Sequence, residues 1–492
     1  MNNPLSPDVR PPEPNVSQTE LDVDPGMDAP SMDGIPDFVK LGSIPVDYIQ
    51  RVETDLLESV VQLDGSTDRT GFCRFTLQNK GFLHSHSKLF LSLIPNATNN
   101  DAFMPVQVGV GALIQRAVLK VGNQVINEIS DWSQLHAVKS SLISNEINKE
   151  REQYMTGRLM NHGFRYESEN YELAPTYGLA NGREYNGIDL KQMPFAKMDG
   201  ATAVTIATSP VYSVDLSDLF PFLKTHQLPL YMIDQPINIE LTWSPPNKAR
   251  TCINANDTVD LPYTIDTTEL KFCADYIFYG AGDEMTRYAD ANKDLSFSFV
   301  DYRSNVATID STAAVTVVRN IGMANRMVTR VITVFNRDAL GDQTLLNKYG
   351  SLGLDVDATG GATDGAVGNL SYNLRYNDRY EFATDVNNSA RLFSLLTDSE
   401  GVPFLTKGEY CGNDAVITAN TFEGLRDDQN LSNNFFYIST RLTGGRVGSK
   451  GIEIHLNATD LRTANGPTSI RCYAEYLRVA RLRNGILDIA NA

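Results

Sequence analysis

The stretch VGALIQRAVLKVGNQVINEISDW, Val110 to Trp132, decides how the rest of the chain is read. A short apolar turn, Val110-Gly111-Ala112-Leu113-Ile114, leads into the run Ala117-Val118-Leu119-Lys120-Val121, which has the composition of a strand. The pair Gly122-Asn123 follows, and the chain goes out again as Gln124-Val125-Ile126-Asn127-Glu128-Ile129. Gly-Asn between two apolar runs predicts a tight hairpin, because both residue types tolerate positive φ. Asp131 and Trp132 then open a helix. Leu135, Val138, Leu142, Ile147 and Tyr154 continue it at near-helical spacing toward Arg158, and Asp131 with Gln134 resembles a capping box.

Outward from this hairpin, strand signals dominate. Ordered structure is expected from about Tyr48. GFCRFTLQ (71–78), SKLFLSLIP (87–95), AVTIATSPVYSVDL (203–216), LPLYMI (228–233), INIELTW (237–243) and TELKFCADYIFY (268–279) carry β-formers in alternation. The apolar knot Leu219-Phe220-Pro221-Phe222-Leu223 interrupts them. The polar break at 280–294 is the preferred domain boundary. Beyond it, LSFSFVDY (295–302), TAAVTVVR (312–319), RMVTRVITVF (326–335), FFYISTRL (435–442), GIEIHLNA (451–458) and SIRCYAEYLRVARL (469–482) read as strands, and RLFSLLTD (391–398) as a short helix. Residues 159–201 and 336–390 are polar or glycine-rich without a sustained period, and read as long excursions from a β-scaffold.

The two halves answer each other. Ala274-Asp275-Tyr276-Ile277 matches Ala474-Glu475-Tyr476-Leu477, Asn238-Ile239-Glu240-Leu241 matches Gly451-Ile452-Glu453-Ile454, and Asp218–Leu223 resembles Ala390–Leu395. The expectation is an all-β chain of two consecutive eight-stranded jelly rolls with long inserted loops and one longer helix in the first. Residues 1–45 would be a flexible, acidic, proline-rich arm, 46–282 the first jelly roll and 283–492 the second.

Composition bounds the function. The 492 residues carry a net charge of −18, which argues against direct binding of nucleic acid. Cys73, Cys252, Cys273, Cys411 and Cys472 lie far apart, so buried thiols are expected rather than a zinc ribbon or a disulfide framework. No apolar run is long enough to span a bilayer. The N-terminal stretch lacks the basic-then-apolar pattern of a signal peptide, so synthesis without one is expected, and sequons such as Asn96-Ala97-Thr98 are read as chance matches.

No nucleophile elbow, phosphate loop or HExxH is present. His84-Ser85-His86 would place two imidazoles on one side of a strand, but without further ligands at metal spacing a surface pair is the better reading. Asp355-Val356-Asp357-Ala358-Thr359-Gly360 opens like a calcium loop, yet its twelfth position is Ala366 rather than a bidentate Glu. Trp132 and Trp243 are read as core rather than as ligand-stacking residues, and Arg441, Arg446 and Lys450 as a solvated face. No catalytic, cofactor-binding or metal-ligating residue is assigned.

Val110–Ile114, then Val121-Gly122-Asn123-Gln124-Val125-Ile126, then Trp132 resembles a signature of the double jelly-roll major capsid proteins of eukaryotic double-stranded DNA viruses (the virophage, polinton-like and nucleocytoplasmic large DNA virus lineage). DLFPFLKTHQLPLYMIDQPINIELTW (218–243), CADYIFYGAGDEMTRYA (273–289) and CYAEYLRVARLRNGILDI (472–489) are similar to further segments of that family, in the expected order. Asn123 stands where the family has a second Gly, and GDEMTR where it has a tight Glu-Arg pair.

The resemblance implies a non-enzymatic major capsid protein. It would form a homotrimer with pseudo-hexagonal outline, tiling an icosahedral virion shell. Partners would be neighbouring capsomers, penton and minor capsid proteins, and an internal membrane on the inner side, with no sequence-specific nucleic acid. The long loops would form outward towers and trimer contacts. Rival readings are a carbohydrate-binding double β-sandwich, which would need aromatic clusters or a carboxylate pair, and a minor vertex or fibre protein.

Overall fold

A computed structural model describes residues 49–62, 71–95, 108–141, 211–224, 227–245, 263–280, 294–308, 314–336, 368–401, 437–443, 445–459 and 469–491, with short pieces at 102–103, 155–157, 184–185, 188–189, 194–196, 285 and 289–290. The N-terminal arm, the calcium-like segment at 355–360 and most of the two long excursions lie outside the described residues.

Sixteen strands make two sandwiches of the same topology. The first contains β1 (Ile49–Glu58), β2 (Phe72–Leu77), β3 (Lys88–Leu91), β4 (Ile114–Val121), β5 (Gln124–Ser130), β6 (Tyr212–Asp215), β7 (Ile237–Trp243) and β8 (Lys271–Tyr279). The second contains β9 (Asp294–Thr308), β10 (Ala314–Gly322), β11 (Val328–Asn336), β12 (Gly368–Tyr376), β13 (Arg379–Tyr380), β14 (Tyr437–Arg441), β15 (Ile452–Thr459) and β16 (Ser469–Arg483). The first pairs β1-β8-β3-β6 in one sheet and β2-β7-β4-β5 in the other; the second pairs β9-β16-β11-β14 and β10-β15-β12-β13. Adding eight to each strand of the first arrangement gives the second, so both are jelly rolls and one chain carries two. A seventeenth strand, β17 (Ile486–Asn491), adds to β16.

Alternation explains the layers. In β7, Ile237, Ile239, Leu241 and Trp243 are buried, and their neighbours Asn238, Glu240 and Thr242 are partly open. A period of two puts every second side chain into the space between sheets. Phe75 and Phe272, on opposite sheets, meet there with ring centroids 5.7 Å apart.

The opening hairpin forms as expected. Val121 pairs Gln124 across Gly122-Asn123, and of that pair only Gly122 takes positive φ, +57°. That is a II′-type turn, in which only the first central residue must be left-handed. The apolar turn is a short 3-10 helix, Gly109–Leu113, with every residue buried.

Helix α1 (Trp132–Ser141) follows β5, and α2 (Ser389–Glu400) follows β13. The second jelly roll therefore has a helix at the equivalent point, and a long helix is not peculiar to the first. Residues 142–154 lie outside the described residues. At the start of α1, the Asp131 carboxylate lies 3.4 Å from Arg471 Nε, while its backbone carbonyl accepts from Gln134 and Leu135 N–H.

Four expectations change. LPLYMI is not one strand: Leu228–Pro229 pairs with Phe82–Leu83, and Leu230–Met232 is a 3-10 turn that keeps Leu230 and Met232 buried. SKLFLSLIP splits at Ser92, with β3 in the main sheet and Leu93–Pro95 pairing Tyr263–Ile265. The second excursion ends earlier than residue 390, because β12 and β13 occupy 368–376 and 379–380. Finally, Asp218–Leu223 lies between β6 and β7, whereas Ala390–Leu395 lies between β13 and β14. That third pair is not topologically equivalent. The other two are: one falls on β8 and β16, the other on β7 and at the start of β15.

Candidate functional site: the seam between the jelly rolls

Strand β5 of the first jelly roll lies against β9 and β16 of the second, and the contact is largely polar. Asp301 on β9 is 2% exposed. Its Oδ1 accepts from Asn127 Nδ2 at 2.8 Å and from the Tyr302 N–H at 2.8 Å; its Oδ2 accepts from Tyr476 Oη at 3.0 Å and from Arg478 at 2.8 Å. Arg478 also donates to the Ile126 and Val125 carbonyls, at 2.8 and 3.3 Å. One arginine thus ties β5 to the second jelly roll while neutralising the carboxylate beside it. Burial raises the Asp301 carboxyl above the usual range, and Arg478 offsets only part of that.

A second network joins the two helices. Lys139 on α1 lies 3.4 Å from Glu400 on α2 and 3.6 Å from Glu475 on β16. Arg330 on β11 bonds Glu400 and approaches Glu475 to 3.8 Å. Tyr302 Oη donates to Glu475 at 2.7 Å, Thr329 Oγ1 to Glu475 at 2.9 Å, and Ser439 Oγ to Glu400 at 2.9 Å. Burial alone would push the Glu475 carboxyl up, but Lys139, Arg330 and the two hydroxyl donors hold it below the ordinary glutamate value. Burial and the neighbouring Glu475 raise the Tyr302 phenol, so it stays a donor.

The seam has other fastenings. Phe222 of the first jelly roll meets Phe299 of β9 with centroids 5.1 Å apart. Tyr473 Oη donates to the Asp131 carbonyl at 3.0 Å. At the far end, the β16–β17 hairpin turns through Asn484 (φ +46°) and Gly485 (φ +79°) against residues 234 and 235. A Cβ on Gly485 would stand 1.9 Å from Asp234 Oδ2, so the close approach itself requires glycine.

Other residues singled out by sequence are accounted for. His84 and His86 sit in a turn before β3, not on a strand. His86 faces Asp215 at 3.7 Å, and no group of three or more metal-ligating residues occurs among the described residues. Trp132 and Trp243 are core, with the Trp132 indole N–H donating to the Asp218 and Leu219 carbonyls. Cys73 and Cys472 are buried free thiols whose pKa values burial raises, Cys472 to about 12. Lys450 pairs with Asp378 at 2.6 Å in the open, and Arg441 is exposed. No helix among the described residues is long and apolar enough to cross a membrane.

Among the described residues, an apolar feature of the outer surface lies along β1. Val52 and Leu56 of β1, with Val60 just beyond it, are 53, 57 and 62% exposed. Among the described residues β1 pairs only with β8, so it is an edge strand carrying apolar side chains outward.

No family model and no curated protein matches the chain by sequence. Solved structures do match in fold. A chain of the Sputnik virophage, determined by cryo-EM, superposes with a TM-score of 0.55 at 9% identity, covering 100% of this chain and 94% of that one. VP54 of PBCV-1, as fitted into a reconstruction of the virophage Sputnik, superposes with a TM-score of 0.52 at 12% identity, covering 90% and 98%. A chain of the PBCV-1 virus capsid gives the same values. At such identities the likeness is one of fold, and it extends over both jelly rolls.

Proposed function

We propose that the chain is a major capsid protein whose three copies pack as a pseudo-hexagonal block in an icosahedral virion shell. The observation that carries this reading is the duplicated eight-strand topology in one polypeptide, held in a single relative orientation by a buried seam. Two like sandwiches per chain and three chains give six similar walls. The fold likeness to chains of the Sputnik and PBCV-1 particles supports the same role.

In this reading residues 1–45 are an arm on the inner side, 46–282 the first jelly roll and 283–492 the second. The partners are other copies, neighbouring capsomers, penton and minor capsid proteins, and an internal membrane. The role is structural rather than catalytic. Obligate interfaces of this kind bury about 2,000–5,000 Å² or more, and the apolar outer side of β1 suits such burial.

Size-exclusion with light scattering tests the reading. Three copies of the 54.4 kDa chain give about 163 kDa (3 × 54.4). A monomer at micromolar concentration overturns it, and a low copy number in purified particles would assign the chain to a vertex or fibre instead.

A further inference from the structure

Between β5 and the β9/β16 pair lies an open polar cleft of about 460 Å³. Arg303, Arg326, Arg478, Glu128, Asp301 and Tyr476 are among the residues lining it. The charges do not balance. Arg478 is neutralised by Asp301, and Glu128 is bonded by Arg116 Nε at 2.7 Å. Arg303 is exposed and has no carboxylate within ion-pair distance among the described residues. Arg326 lies over the Tyr476 ring at 4.7 Å, also without a carboxylate. Two guanidinium groups therefore face a concave site without a carboxylate of their own among the described residues, Glu128 and Asp301 being paired elsewhere, in a chain whose net charge is −18.

The same chain contains the complementary segment. Residues 11–39 hold Glu13, Glu20, Asp22, Asp24, Asp28, Asp33 and Asp37, and no Lys or Arg. We propose that the cleft is a docking site for this chain's own acidic N-terminal segment, with arm carboxylates pairing to Arg303 and Arg326. The cleft lining favours a peptide over a nucleic acid. Glu128 and Asp301 interrupt the arginines, which suits spaced carboxylates and repels a continuous phosphate backbone. Reach is sufficient: the 36 residues from Glu13 to the start of β1 span up to about 120 Å when extended. Tethering at Ile49 also raises the segment's effective concentration at the cleft. The inference depends on the cleft and the arm alone, and survives or fails independently of the trimer.

The test uses the full chain. Cleavage of the arm by chymotrypsin, at apolar residues such as Leu21 and Phe38 that the charge swap leaves in place, is followed by mass spectrometry in wild type, in R303E, in R303E/R326E, and in R303E/R326E combined with D24K/D28K. Expected are cleavage about tenfold faster in R303E/R326E than in wild type, recovery of most of the protection in the charge-swapped chain, and loss of wild-type protection at high salt. R303E alone, at an exposed position, should speed cleavage severalfold, so the result does not rest on the double variant's folding. A rate unchanged by R303E, or no recovery on charge swap, overturns the proposal. So does protection that rises with protein concentration, which would assign the arm to a second copy, or duplex DNA binding that R303E/R326E abolishes.

Discussion

Asp301 and Glu475 show how two buried carboxylates on one seam acquire opposite pH behaviour. Glu475 has its pKa lowered by the fold, so the unfolded chain binds its proton more tightly. Its stabilising contribution is present above the ordinary glutamate range and lost as pH falls through the folded value. Asp301 has its pKa raised, so its contribution is greatest below the ordinary aspartate value and falls as pH rises toward the folded one. Thermal melting across pH 3–7 should therefore show a shallower acid-side decline in E475Q than in wild type, and a steeper one in D301N. Equal slopes in all three proteins would mean that the seam carboxylates do not titrate differently on folding. Removing the partner has a larger effect. R478M leaves Asp301 buried with hydrogen bonds but no cation, and breaking a buried pair this way costs about 3–5 kcal/mol. Urea unfolding should show a loss of that order, and a loss under about 1 kcal/mol would mean that water already screens the pair.

Legibility in the sequence was uneven at the scale of elements, for physical reasons. The hairpin at Gly122-Asn123 and the strand β7 were readable because turn chemistry and period-two burial are local. LPLYMI misled because only Leu228–Pro229 pairs as a strand, while the 3-10 turn after it buries Leu230 and Met232 without strand pairing. The third duplicated motif misled because an apolar knot and an amphipathic helix share a composition but not a place in the topology. β1 could not be read at all: in RVETDLLE, Val52 and Leu56 fall on the outward side and only Leu57 packs against the core, so the alternation is the reverse of what a lone sandwich requires. None of the seam was legible, since Asn127 and Asp301 are 174 residues apart and Lys139 and Glu400 are 261 apart. The inverted alternation of β1 carries a prediction of its own. Leu56 is exposed in the single chain, so L56E should change its folding stability by no more than about 0.5 kcal/mol. If β1 is covered by a second copy, the same change should shift the light-scattering mass from trimer to monomer while the circular dichroism spectrum stays that of the folded chain. A variant that stays trimeric would place the contact elsewhere.

For the whole molecule, the question is whether two jelly rolls joined in one chain behave as one cooperative unit. Interfaces between domains of a chain usually permit relative motion unless they are large and well packed. This seam combines two buried ionic networks, the Phe222–Phe299 contact and the β16–β17 hairpin against residues 234 and 235. The chain supplies its own probe. Its only two tryptophans, Trp132 and Trp243, both belong to the first jelly roll and both are buried, whereas backbone circular dichroism reports on both jelly rolls. If the seam couples them, tryptophan fluorescence and circular dichroism should give superimposable urea transitions in wild type. K139M/R478M removes one cation from each network and leaves three carboxylates short of charge. In that variant the two transitions should separate, with fluorescence following the first jelly roll alone. Superimposable curves in K139M/R478M would mean that apolar contact and the hairpin suffice for coupling. Separated curves already in wild type would mean that the rigid pair, on which a six-walled trimer depends, is not set by the seam.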